Sequence, residues 1–106
     1  MDDILLKNNV ILKKSKSVNL NQMFKTRSYE CILGVDINSK NVVVFYRNAK
    51  SRFITKDALK LEEMGDKVIK ESDRVVKEKL FFYNSEICSK ALNLLKKSGW
   101  KCFFVM

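Results

Sequence analysis

A chain of 106 residues, 46% hydrophobic and 31% charged, is sized for one domain. Such a chain buries about two-thirds of the surface its unfolded form exposes, enough to fold without metal or disulfide staples. Its formal charge of +9 comes with no histidine, which removes the commonest neutral-pH general base, the commonest metal ligand and every Ser-His or Cys-His dyad.

The acidic start Met1-Asp2-Asp3 is the reverse of a secretory signal, and no apolar run approaches the ~20 residues that span a bilayer. Cys31, Cys88 and Cys102 are odd in number and lack a Cys-x-x-Cys pairing, which argues against a disulfide framework or zinc cage. The expectation is a protein of the reducing cytoplasm, with no membrane and no nucleotide cofactor, since no glycine-rich phosphate loop exists among its three glycines. The charge is uneven: residues 1–56 carry 11 Lys/Arg against 4 Asp/Glu, whereas residues 57–106 carry 10 against 8. That asymmetry is the sequence footprint of a polyanion-binding face. The Lys-rich, bacterial-like composition supplies the alternative, a solvated cationic fringe.

In chain order, Ile4–Lys7 and Val10–Lys13 flank Asn8-Asn9, a dipeptide suited to a two-residue hairpin loop. Lys13-Lys14-Ser15-Lys16 reads as a basic connector, and Ser17 as the N-cap of a short helix carrying Leu20, Met23 and Phe24. Residues 1–28 are thus expected to supply the N-terminal hairpin, basic connector and short helix, and 29–106 the α/β core, within one structural domain. Within that core, period-two alternation from Tyr29 to Asp36 predicts a strand, and the turn signal around Asn38 leads into Val42–Tyr46, whose continuous apolarity predicts a central strand covered on both faces.

Arg52-Phe53-Ile54 completes the meander as a short edge strand. Thr55 caps the next helix, with Asp57 in its first turn, and the stripe Leu61, Met64, Val68 and Val75 carries the helix to about Lys79. Gly65 interrupts that stripe, marking either close packing or a kink. Leu80–Tyr83 is a buried strand, Asn84-Ser85 a cap signal, Ile87 to Leu95 the inner face of a helix closed at Ser98-Gly99, and Trp100–Met106 the last strand. The predicted fold class is α/β bordering on α+β. It is a single domain whose mixed sheet joins an antiparallel three-strand meander, through a long helix, to a parallel β-α-β unit.

Three strands, helix, strand, helix, strand is an element order similar to the ribonuclease H-like fold. That resemblance implies a carboxylate on the first strand of the core, here Asp36 after Ile32-Leu33-Gly34-Val35, joined by others to hold divalent metal. Glu62, Glu63 and Asp66 lie on the helix, but Asn84 stands where the resemblance implies an acid at the end of the fourth strand. Two-metal hydrolysis needs several carboxylates converging on ions ~4 Å apart. Cys88, near a helix start, is a candidate thiolate or a buried structural thiol.

These signals rank three readings. The first is a basic nucleic-acid-associated protein that grips DNA or RNA backbone through Lys14, Lys16, Lys25, Arg27, Arg47, Lys50 and Arg52 on loops, with Tyr46 or Phe53 stacking on a base. The second is a non-catalytic interaction or regulatory module, recruiting a protein partner or a second copy at an edge such as Arg52–Ile54. The third is a carboxylate-metal nuclease using Asp36 and Glu62, the only reading that calls for divalent metal.

Overall fold

The computed structural model describes residues 5, 10–20, 24 and 28–105. The described residues form a five-stranded mixed sheet with the helices over 55–72 and 89–97 packed on one face, an α+β fold. The strands are β1 (Leu12–Val18), β2 (Tyr29–Asp36), β3 (Asn41–Arg47), β4 (Val76–Tyr83) and β5 (Trp100–Phe104), and they lie side by side in sequence order. β1, β2 and β3 pair antiparallel, whereas β3, β4 and β5 pair parallel. Helix α1 (Thr55–Ser72) connects β3 to β4 and α2 (Ser89–Lys97) connects β4 to β5, because parallel neighbours need a crossover.

The central position of β3 follows from its sequence. Val42, Val43, Val44 and Phe45 are at most 1% exposed, with Val43 and Phe45 in the core beneath the helices and Val42 and Val44 in the core on the opposite face. The helix-side core also holds Phe53, Leu61, Met64, Val68, Phe81, Leu95 and Trp100, and the far-side core holds Leu5, Ile32, Leu80 and Phe82. Each such side chain contributes roughly 1.5–3 kcal/mol on burial, so the two cores set the register of the sheet.

The meander differs from expectation at both ends. Residues 12–18, expected as a hairpin arm running into a connector, form β1, and Ser17 pairs in that strand rather than capping a helix. β1 escapes a pattern-based reading because its central residues are all exposed: backbone bonding to β2 holds it, and its lysines guard a sheet edge. Conversely, Arg52–Ile54 is no sheet strand, and Phe53 makes only an isolated parallel bridge to Ile87. The proposed turn at Asn8-Asn9 and most of the short helix after Ser17 lie outside the described residues.

Both helices also have shifted ends. At the start of α1 it is Ile54 that occupies the N-cap position, and the Asp57 carboxylate accepts from the Ile54 N–H at 3.0 Å. The helix stops at Ser72 because Asp73 turns left-handed, with φ 55° and ψ 35°, which frees Val76 to begin β4. Val75, assigned to the helical stripe from its spacing, is 70% exposed. Gly65 marks close packing: a Cβ there would lie 2.8 Å from Trp100 Cζ2 and 3.1 Å from Cη2.

Candidate nucleic-acid interface

The carboxyl ends of β3, β4 and β5 open onto two loops, 48–54 and 84–88, and both helices begin there. In sheets with parallel strands this end, where loops and helix N-termini meet, is the usual place for ligands. The loops are tied together. Asn84 donates to Asn48 Oδ1 at 2.7 Å and accepts from the Ala49 N–H at 3.1 Å. At the far end of the first loop, the Phe53 N–H donates to Glu86 O at 2.8 Å and the Cys88 N–H to Phe53 O at 2.9 Å.

Arg47, the last residue of β3, sits between these ties. Period-two alternation points its side chain to the helix side, where it is 5% exposed. Nη1 donates to Ser51 O and to Ser85 Oγ, each at 2.9 Å, and Nη2 donates to Ser51 Oγ at 3.0 Å. The guanidinium also lies 5.3 Å from the centre of the Phe53 ring, within cation–π range. Nearby Tyr29 is pushed up to about 12 by burial, a rise that the Arg47 charge opposes.

The sequence placed Arg47 on a loop among phosphate-binding cations, but the fold engages its guanidinium internally. Lys50 and Arg52 do stand exposed on the 48–54 loop. Lys14 and Lys16 project from β1 at the sheet edge, on the helix side by register with Val35 and Leu33, so the expected cations are divided between an edge strand and the carboxyl end. Lys25 and Arg27 lie outside the described residues. Phe53 is fully buried and does not stack on a base, whereas Tyr46 is half-buried on the far face.

Cys88 occupies the N-cap of α2, one position before the helix, and is half-buried against the helix-side core. Its Sγ accepts from the Ala91 N–H at 3.4 Å and lies 4.0 Å from Thr55 Oγ1. These contacts, the Ala91 N–H foremost, together with the Arg52 charge, hold the thiol below its ordinary range. Cys31 and Cys102 are pushed up to about 12 and about 11 by burial.

The candidate acids do not meet. Asp36 Oδ1 accepts from the Asn38 and Lys40 N–H groups, both at 2.9 Å, which makes it the organiser of the β2–β3 turn. By register with Leu12 it faces away from the helices, and Gly34 is required because Leu12 Cδ1 would lie 2.8 Å from a Cβ there. The Gly-Val-Asp string thus serves the β1–β2 contact and a turn. Glu62 lies on α1, on the other face, where its carboxylate accepts from the Trp100 indole N–H. Glu63 and Asp66 line the outer surface of α1 with Lys67, Lys70 and Glu71. Among the described residues no three His, Cys, Asp or Glu side chains are grouped to hold a metal ion.

Sequence reading missed Ser51, Ser85 and Asn84 as the residues that fix this end. The Asn84-Ser85 pair after a strand suits a helix cap by local pattern, and only its bonds to Asn48, Ala49 and Arg47 assign it to tying the loops.

No protein-family model matches the chain, and no curated protein matches it. Solved structures do. The fold is similar to EndoMS in its apo form, at TM-score 0.63 and 16% identity, over 99% of this chain and 44% of that one. It is similar to EndoMS in complex with double-stranded DNA at TM-score 0.57 and 19% identity, over 99% and 42%. A repair endonuclease from Pyrococcus abyssi matches at TM-score 0.60 and 16% identity, over 98% and 44%. At these identities the likeness is one of fold, and this chain spans less than half the length of each. Among the described residues no helix is long and apolar enough to cross a membrane.

Proposed function

We propose that the protein binds nucleic acid, with duplex DNA as the preferred form, by gripping the phosphate backbone with little base readout. The observation that carries this reading is the pinned 48–54 loop, which presents Lys50 and Arg52 outward at the carboxyl end of the sheet, beside two helix N-termini. Exposed cations attract phosphate, and the released counterions drive association. The +9 charge and the likeness to a fold solved with double-stranded DNA support the choice of partner. Lys14 and Lys16 extend the cationic surface along β1, and a cytoplasmic setting belongs to the same reading.

The test is the affinity of the chain for short DNA and RNA duplexes across a salt series. Log Kobs falls with log salt by about 0.9 per phosphate contact on B-DNA, so Lys50→Ala with Arg52→Ala makes the slope shallower by up to about 1.8. A flat salt dependence, or no binding at low salt, refutes the proposal.

A metal-dependent nuclease is the second reading, favoured by likeness to a structure described as a repair endonuclease. Asp36 and Glu62 lie on opposite faces of the sheet, so the reaction requires an acid set other than that pair. The assay is cleavage of plasmid and linear duplex DNA with Mg²⁺ or Mn²⁺. Cleavage abolished by Asp36→Asn, with the fold intact, restores the first-strand carboxylate to a catalytic role.

A further inference from the structure

We infer that Arg47 is a positioning residue for the interface: it touches no phosphate itself but fixes the loop whose cations do. The inference rests on the reading that nucleic acid binds at the carboxyl end. Arg47 is 5% exposed, and among the described residues no carboxylate forms an ion pair with it. A buried charge without a counterion is a costly way to fill space, and an apolar side chain of similar volume would serve packing as well or better. What the guanidinium supplies is a rigid planar fork of donors.

That fork reaches two loops at once. One nitrogen bonds the Ser51 carbonyl and the Ser85 hydroxyl, and the next bonds the Ser51 hydroxyl, while the plane rests against Phe53. The 48–54 loop is thereby held at three points in alternation: Ala49 by Asn84, Ser51 by Arg47, and Phe53 by its bridge to the 84–88 loop. The intervening residues, Lys50 and Arg52, face outward. Holding the loop in this form places the loss of its conformational freedom on folding rather than on binding, which strengthens each phosphate contact without adding one.

The experiment is a double-mutant cycle read by binding to a short labelled DNA duplex, with melting checked by circular dichroism. Ser85→Ala removes one acceptor from the fork and weakens binding about fivefold, the equilibrium equivalent of one hydrogen bond. In a Lys50→Ala/Arg52→Ala background the same substitution has no effect, because Arg47 then has no cations to position. Ser51→Ala, at the exposed side of the fork, behaves the same way without altering a buried residue. Unchanged affinity in both serine variants, or equal weakening in both backgrounds, overturns the positioning role while leaving the interface in place. Failure of the unaltered protein to bind refutes the interface itself, and this inference with it.

Discussion

Gly65→Ala provides a test of the packing between α1 and the sheet. In an isolated helix the change is favourable, since glycine in a helix interior costs up to ~1 kcal/mol relative to alanine. Here the new methyl would meet Trp100 Cζ2 at 2.8 Å and Cη2 at 3.1 Å, closer than carbon atoms pack. The indole has little freedom to retreat. It stands edge-on to Phe45 with centroids 5.8 Å apart, donates its N–H to Glu62, and carries the Lys79 ammonium 5.1 Å from its ring centre. Overpacking costs about 1–3 kcal/mol, and with the indole held on three sides the upper part of that range, about 2–3 kcal/mol, applies; set against the ~1 kcal/mol helix gain it leaves a net loss of about 1–2 kcal/mol. For a domain of this size that corresponds to a drop in Tm of roughly 5–10 °C. Urea unfolding followed by the fluorescence of Trp100, the single tryptophan, measures it directly. In Trp100→Phe, followed by circular dichroism, the added methyl has room and the penalty shrinks. An unchanged or raised midpoint for Gly65→Ala in the otherwise unaltered protein refutes the packing argument.

Two further outcomes concern protonation. Burial raises Tyr29 and Cys31 to about 12 and Cys102 to about 11, so the folded form holds protons that the unfolded chain releases once pH passes its ordinary thiol and phenol values. Stability contributed by these groups is present in full below about pH 9 and falls as pH rises toward their folded values, which an alkaline series of urea midpoints detects as a decline beginning above pH 9. A midpoint that holds constant up to pH 11 contradicts it. Cys88 shifts the other way, so its alkylation by iodoacetamide rises at lower pH than that of an ordinary thiol, and mass mapping of the folded protein finds it modified before Cys31 and Cys102. Equal labelling of the three removes the N-cap argument.

The legible elements were those whose side chains report their surroundings. The alternation in Tyr29–Asp36, the unbroken apolar run at Val42–Phe45 and the helical spacing of Leu61, Met64 and Val68 each correspond to a face buried in one of the two cores. β1 was not legible, because an edge strand held by backbone bonds leaves Lys13–Ser17 exposed and free of any apolar period. The Asp36 signal was misleading for a related reason: a short acid between strands serves a turn as readily as a metal, and only its bonds to Asn38 and Lys40 distinguish the two. The candidate site was half legible. Lys50 is exposed on the turn where the sequence put it and Arg52 is exposed beside it, outside the edge strand expected for it, but the residues that hold that loop were hidden.

The sequence by itself determined the central strand, the succession of long helix, strand, helix and strand that follows it, and the surplus of cations in the first half of the chain, while it misplaced a strand at Arg52–Ile54. Tertiary structure alone decided which cations are free. Arg47 is chemically the same as Arg52, and both read as solvated charges, yet one meets Ser85, 38 residues further along the chain, and the other meets water. Burial of a charge depends on acceptors that arrive from distant segments, and no local pattern encodes their arrival. The same holds for the acids, whose division between opposite faces of the sheet follows from strand register and not from their spacing along the chain.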